Sequence, residues 1–287
     1  MYTIAMKKSN WIEPLYKRVN KTAYMQPSSF IRALQVISPE FVYYYVGQLI
    51  TYGAALFIGY GPAGTIAPGF FANHSQLLAS LIRMSAVIIA VLPLIPSLLK
   101  EYPVIGPENK ESAGYALIVA AMALGFALFF NSVAIVSGFT GKSQAFSETA
   151  SAQFALPIWL GIIVYGIVTP ITEEIVHRGL IYNRLRRYYN LPIAIIGCSL
   201  LFGISHGNLV QLVYGFIMGL LICYVYERLG AFVYPVLFHC IANVAVYVCM
   251  SNTMLRAAVS SYYGIILEGT VAVACFMALA LAKKIDT

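Results

Sequence analysis

Ionisable and amide side chains recur where the surrounding sequence is oil. Glu173 and Glu174 stand side by side in TPITEEIVHRG (169–179), with His177 and Arg178 close behind. FGISH (202–206) carries Phe202 and His206, and HCIAN (239–243) carries His239 and Asn243. A charge near the centre of a bilayer costs roughly 3 kcal/mol or more, so each ionisable member of the set is a functional candidate by default. The chemistry that the set allows is hydrolysis. A carboxylate held out of water is a stronger base than a solvated one and suits proton abstraction near neutral pH. A histidine beside it can help hold and deprotonate a water, and a second histidine with an asparagine amide can donate hydrogen bonds to a developing oxyanion. Peptide-bond hydrolysis needs those three parts.

Spacing along each segment sorts the residues further. Glu174 and Arg178 are i,i+4 with the acid first, the favourable order for an ion pair on a helix. His239 and Asn243, like Phe202 and His206, are i,i+4 and share a helical face. His177 stands i,i+4 from Glu173 and reads as its local hydrogen-bond partner. Pro170, just ahead of the glutamates, frees a backbone carbonyl and predicts a kink beside a cavity. Depth decides whether the segments can meet. At helical rise, Glu173 lies about 16 Å from Arg184 and His206 about 22 Å from Leu191. His239 lies about 14 Å, and Asn243 about 20 Å, from Gly230. In an apolar core about 30 Å thick, all four fall within one central slab.

The elements that would position them are membrane spans. The 287 residues are 60% hydrophobic and 10% charged, far from the roughly 25% charged of soluble domains. Apolar runs long enough to cross a bilayer, about 20 residues each, occur at roughly 41–60, 77–99, 114–138, 155–183, 191–206, 209–226, 230–250 and 262–282. The fifth is short, and only the turn signal Gly207–Asn208 separates it from the sixth. The expected fold is all-α, a polytopic bundle of about eight transmembrane helices. A basic cytoplasmic segment (1–38) would precede a single transmembrane domain (39–287).

Charge supports this count. With the N-terminus inside, every Lys and Arg except Lys142, Arg256 and Arg83 falls in a cytoplasmic segment or, for Arg178, toward the cytoplasmic end of its span, which the positive-inside rule reads as both ends cytoplasmic. The net charge of +7 therefore reports topology, and no nucleic-acid partner is expected. Arg184, Arg186 and Arg187 read as an anchor at anionic headgroups, and Tyr43 to Tyr45, Tyr188 and Tyr189 as interfacial belts. Arg83 and Glu268 lie at similar estimated depths, so an ion pair between the second and eighth spans is the plain expectation. The five cysteines all fall in apolar stretches without CxxC spacing and read as small buried hydrophobes. The polar, basic start carries no apolar h-region with a cleavage site, so no secretory signal peptide is expected.

Three motifs now stand in order: EEIVHR (173–178) fits EExxxR, FGISH fits FxxxH, and HCIAN fits HxxxN. Together they resemble the CAAX protease and bacteriocin-processing family, also called the Abi family, intramembrane endopeptidases related to the type II CAAX prenyl endopeptidase. The similarity covers about residues 155–250, the protease core. The resemblance implies a glutamate-dependent protease without a cofactor. Glu173 would activate water with His206, while His239 and Asn243 would stabilise the tetrahedral intermediate. Glu174, Arg178 and Phe202 would shape the site or hold substrate.

Zinc is the mechanistic rival, because Glu173, His206 and His239 are a ligand set that it uses, with water in the fourth position. Against zinc, the three do not follow the compact HExxH spacing, and Asn243 is a better oxyanion donor than metal ligand. Two other functions compete. Buried Glu and His chains also serve ion- or proton-coupled transport, though no repeated halves are visible, and a scaffold or immunity protein of the same fold would bind without cleaving. The expected peptidase acts within the plasma membrane on a membrane-associated peptide or lipidated protein, with its site opening toward the cytoplasm. The family implies prenylated CAAX segments or bacteriocin- and signal-peptide-like precursors. A compact chain without an organelle signal favours the latter.

Overall fold

The computed structural model describes residues 28–59, 68–101 and 113–282. The basic positions Lys7, Lys8, Lys17, Arg18, Lys21, Lys110, Lys283 and Lys284 lie outside them. Among the described residues the regular structure is helical, without strands. The helices of seven residues or more are α1 (Ser29–Gly59), α2 (Ser75–Lys100), α3 (Ala113–Val136), α4 (Gln144–Phe154), α5 (Ile158–Tyr188), α6 (Leu191–Ile204), α7 (Leu209–Leu229), α8 (Val233–Ser251), α9 (Thr253–Val259) and α10 (Tyr262–Leu281). Seven of them, α1, α2, α3, α5, α7, α8 and α10, are long and apolar enough to cross a membrane. The fifth expected span is the short one, the 14-residue α6. Local chemistry sets its limits. Asn190 caps its start by accepting from Ile193 N–H, and Gly207, at φ 74°, turns the chain in a left-handed conformation that an L side chain resists. Asn208 then caps α7 by accepting from Gln211 N–H.

Pairings at one end of the bundle show how the helices run. There Arg184 on α5 meets Glu101 just past α2 and Ser38 on α1. Arg186 meets Glu227 on α7, and Arg228 donates to the carbonyls of Leu279, Ala280 and Ala282 that close α10, a cationic cap on a helix C-terminus. The chain from Ser38 to Ala282 therefore leaves this end and returns to it, with α6 completing an even number of traverses.

Small residues let the helices close on one another. In the α6–α7 hairpin, a Cβ on Gly203 would stand 2.6 Å from Leu212 O, and one on Gly219 would stand 3.0 Å from Ser199 Cα. Gly215 and Gly219 on α7 form the small-xxx-small pattern of close membrane crossings. Gly125 on α3 does the same against Ala272 of α10, where a Cβ would lie 2.7 Å from the backbone nitrogen. The helix α8 is central and packs on α3, α5 and α7. One buried cluster joins α2, α5, α6 and α7 around Leu180 and Cys198, and another joins α3, α7, α8 and α10 around Met122 and Phe238. Outward-facing Leu49, Leu117, Leu267 and Leu281 are exposed, which suits contact with lipid tails. All five cysteines are free.

The expected Arg83–Glu268 pair does not form. Arg83 on α2 lies over the ring of Tyr165, 5.7 Å from its centroid, while Glu268 is buried on α10, which packs against α3. Equal depth placed both residues in one layer, but helix adjacency put them on different neighbours.

Candidate active site

The helix that carries both glutamates is not a plain α-helix. Residues Ile162–Val168 and Ile175–Tyr182 of α5 are wound as π-helix, with an α-helical turn, Thr169–Glu174, between them. Such segments are rare and concentrate at functional sites. Proline explains one feature of the first. Thr169 N–H donates to Val164 O, five residues back, so in the same register Tyr165 O falls to residue 170. That residue is Pro170 and has no N–H to give. Asn243 on α8 supplies the missing donor, its Nδ2 lying 3.1 Å from Tyr165 O. The carbonyl that the sequence expected Pro170 to free is thus satisfied by a proposed site residue, and a second N–H of the Asn243 amide remains for other work.

Next along α5, the adjacent carboxylates have different environments. Glu174 and Arg178 are both 0% exposed, and Arg178 Nη1 donates to Glu174 Oε1 at 2.7 Å, the i,i+4 pair that the spacing predicts. Arg178 Nη2 also donates to Gly219 O at 3.0 Å. Glu174 Oε1 accepts a second bond, 2.7 Å from His239 Nδ1. A carboxylate only accepts, so the His239 proton sits on Nδ1 and its Nε2 is turned to the other acid. That Nε2 lies 3.7 Å from Glu173 Oε2, and Glu173 is 18% exposed. Glu174 is therefore locked between two cations or donors, and Glu173 is the reachable carboxylate.

Phe202 gathers the remaining residues. Its ring is edge-on to His177, His206 and His239, with centroids 4.9, 5.0 and 5.4 Å away, and the Arg178 guanidinium sits 5.0 Å from its centre. His206 Nδ1 donates to Phe202 O at 2.8 Å, which leaves Nε2 as the acceptor of a neutral imidazole. A cavity of about 760 Å³ opens beside this group, with Phe202, His206, His239 and Asn243 in its wall. The walls are otherwise mostly apolar, from α3, α7, α8 and one face of α4. That face, Phe146, Thr149, Ala150, Gln153 and Phe154, follows helical periodicity. Glu173 is not in this wall. It stands beyond His239, on the flank of α5 where Tyr43 of α1 hydrogen-bonds Thr172 at 2.9 Å.

The sequence expectations thus meet in one place, with one repartnering: Glu173 stands next to His239, where the resemblance had paired it with His206. His177 does hydrogen-bond locally, its Nδ1 lying 2.9 Å from Glu173 O. Its Nε2 lies 3.2 Å from Glu40 of α1, an acid that no motif marked. Tyr43 also turns inward, while Tyr44 and Tyr45 face out as expected of an interfacial belt. The arginines expected at lipid headgroups are largely paired within the protein. Arg184 makes a forked contact with Glu101, and Arg186 one with Glu227, while Arg187, 42% exposed, pairs with Glu101 at 4.0 Å. Among the described residues, no three His, Cys, Asp or Glu side chains converge as a metal-holding group.

Comparison with known proteins points the same way. The model of the family described as type II CAAX prenyl endopeptidase Rce1-like matches residues 155–245. A Bacillus subtilis (strain 168) protein named "Putative membrane peptidase YdiL" is 30% identical over 175 residues, covering 59% of this chain and 70% of the relative. No solved structure matches. The stretch matched by the family model runs from the start of α5 through Asn243 and holds every residue gathered around Phe202 and His239. The chain belongs to the CAAX protease and bacteriocin-processing family, in the type II CAAX prenyl endopeptidase Rce1-like group, and is a multi-pass membrane protein of a peptidase family.

Proposed function

We propose that this protein is an intramembrane endopeptidase of the plasma membrane that hydrolyses a peptide bond with a glutamate-activated water. One observation carries the reading: of two adjacent carboxylates, Glu174 is immobilised by Arg178 and His239, while Glu173 is left reachable 3.7 Å from the same imidazole. Water bound at the His239 edge gives a proton to the Glu173 carboxylate, assisted by the acceptor Nε2 of His206. The hydroxide adds to the scissile carbonyl. The second amide N–H of Asn243 donates to the oxyanion, and His239, whose Nδ1–H is held by Glu174, joins it through Nε2 when the ring carries a second proton. As the tetrahedral intermediate collapses, the C–N bond breaks and the proton held by Glu173 passes to the departing amine. Glu174, Arg178 and Phe202 hold His239 and His206 in place throughout. No metal enters these steps.

The substrate is a membrane-associated peptide, of the bacteriocin- or signal-peptide-like kind in preference to a prenylated CAAX protein. Purified protein should cleave an unprenylated membrane peptide, and Glu173→Gln should lower kcat about 10²- to 10⁴-fold, the range of a general base. A Glu173 variant as fast as the parent would end this reading. Activity should survive a strong chelator. Loss on chelation with rescue by zinc would replace the mechanism with a metal-dependent one.

A further inference from the structure

Among the described residues, the cavity and the cluster of cations where α2, α5 and α7 finish lie at opposite ends of the bundle. The cavity walls run from mid-membrane outward: the end of α3 with Ser137, Phe202 at the end of α6, α7 from Val210 to Ile222 and α8 from His239 to Met250, with α4 alongside. Exposed Ser137, Val213 and Arg256 stand among its lining residues. Lys100, Arg184, Arg186, Arg187 and Arg228 sit at the other end, where α2, α5 and α7 finish. In the sequence, Lys110 falls between α2 and α3, and Lys283 and Lys284 follow α10. Among the described residues the loops at the cavity end hold only Lys142 and Arg256. Membrane proteins keep Lys and Arg of short loops on the cytoplasmic side whether or not acids accompany them, so the internal pairing of Arg184 and Arg186 does not weaken the bias.

We infer that the cavity is loaded from the non-cytoplasmic face of the membrane and that Arg256 anchors a carboxylate of the substrate there. This rests on the peptidase reading of the site that shares His206, His239 and Asn243 with the cavity wall, and it reverses the cytoplasmic access expected from the sequence. Arg256 is the one permanently charged side chain among the lining residues. The rest are apolar, aromatic or neutral polar, apart from the two histidines, so the cavity suits an apolar peptide that carries an anion at its outer end. A guanidinium fork matches a carboxylate in two parallel bonds. That carboxylate is either a free C-terminus or an acidic side chain. A substrate reaching this mouth has already crossed the membrane or spans it with its cleavage site near the outer leaflet.

Two measurements test this. In right-side-out vesicles, a membrane-impermeant maleimide should label Ser137→Cys above the parent background of native cysteines. Arg187→Cys should label only after permeabilisation. The opposite pattern overturns the inferred access, whether or not the protein cleaves anything. In detergent, a quenched apolar peptide would be compared as its C-terminal acid, as its amide, and as an amide carrying one glutamate. Arg256→Gln should reduce the preference in kcat/KM for an acidic form over the plain amide by about fivefold, the scale of an exposed ion pair, and Arg256→Lys should restore part of it. The acid responding points to a C-terminus, and the glutamate peptide responding points to a side chain. An unchanged preference for both overturns the anchor. Absence of any Glu173-dependent cleavage would instead remove the peptidase reading, leaving the labelling result to judge orientation by itself.

Discussion

Replacing Arg178 with methionine isolates what the buried ion pair contributes. Arg178 and Glu174 are wholly buried, and the guanidinium is committed to Glu174 Oε1 at 2.7 Å, to Gly219 O at 3.0 Å and to the Phe202 ring at 5.0 Å. Arg178→Met keeps most of the stem and removes the charge. Glu174 is then a buried anion with His239 as its only partner, and Gly219 O loses its side-chain donor. Breaking a buried pair from one side costs about 3–5 kcal/mol, mainly because the surviving charge is stranded. The double variant Glu174→Gln with Arg178→Met strands no charge, so its loss should fall short of the summed single losses by about 2 kcal/mol or more. Arg178→Lys should not recover the parent, since one ammonium cannot present the planar fork and also stack on Phe202. Reversible unfolding of the intact protein in mixed micelles, followed by helical circular dichroism as SDS is titrated in, reads all four. A loss for Arg178→Met of about 1 kcal/mol or less, the scale of an exposed pair, would refute the claim that this pair is insulated from water.

Three further outcomes follow from the same contacts. Asn243→Ala should cost about 1–3 kcal/mol by orphaning Tyr165 O, and the loss should shrink when Pro170→Ala returns a backbone N–H. Equal losses in both backgrounds in that unfolding assay would remove the proline explanation. Gly219→Ala should cost about 1–3 kcal/mol by forcing α7 off the Ser199 backbone, and a neutral result would mean that the α6–α7 crossing relaxes freely. Glu40→Ala should destabilise by about 1–3 kcal/mol because buried His177 Nε2 loses the carboxylate 3.2 Å away, with Glu40→Gln, whose amide can still hydrogen-bond that nitrogen, recovering most of it.

Much of this arrangement was legible in the sequence because a membrane simplifies the problem. Hydropathy gave the spans, and the high energy of intramembrane charge singled out Glu173, Glu174, Arg178, His206 and His239. The i,i+4 rule joined Glu174 to Arg178 without coordinates. What stayed hidden was lateral adjacency. Depth put Arg83 and Glu268 in one layer but said nothing of which helix neighbours which. Glu40 carries no motif and meets His177 only because α1 packs on α5. The cavity-facing α4 is too short and polar for a search for spans, although the 146, 149, 150, 153, 154 spacing of its inner face was readable. The side on which the cavity opens was also out of reach, since charge orients the bundle while only packing shows where it is hollow.

The π-wound turns of α5 have a consequence for comparing relatives residue by residue. A π turn accommodates more residues than the 3.6 of an α-helix, so the two halves of α5 are out of phase by an amount that residue number alone controls. Deleting one residue from 162–168 would rotate everything after it by about 100° relative to everything before it. Glu173 would then leave the His239 side while hydropathy and helix propensity barely changed. A relative that winds this segment as plain α-helix while keeping the same contacts at both ends should therefore align only with a gap there. That gap would record a change of phase in the active-site helix, in a place where a missing loop residue is the usual interpretation.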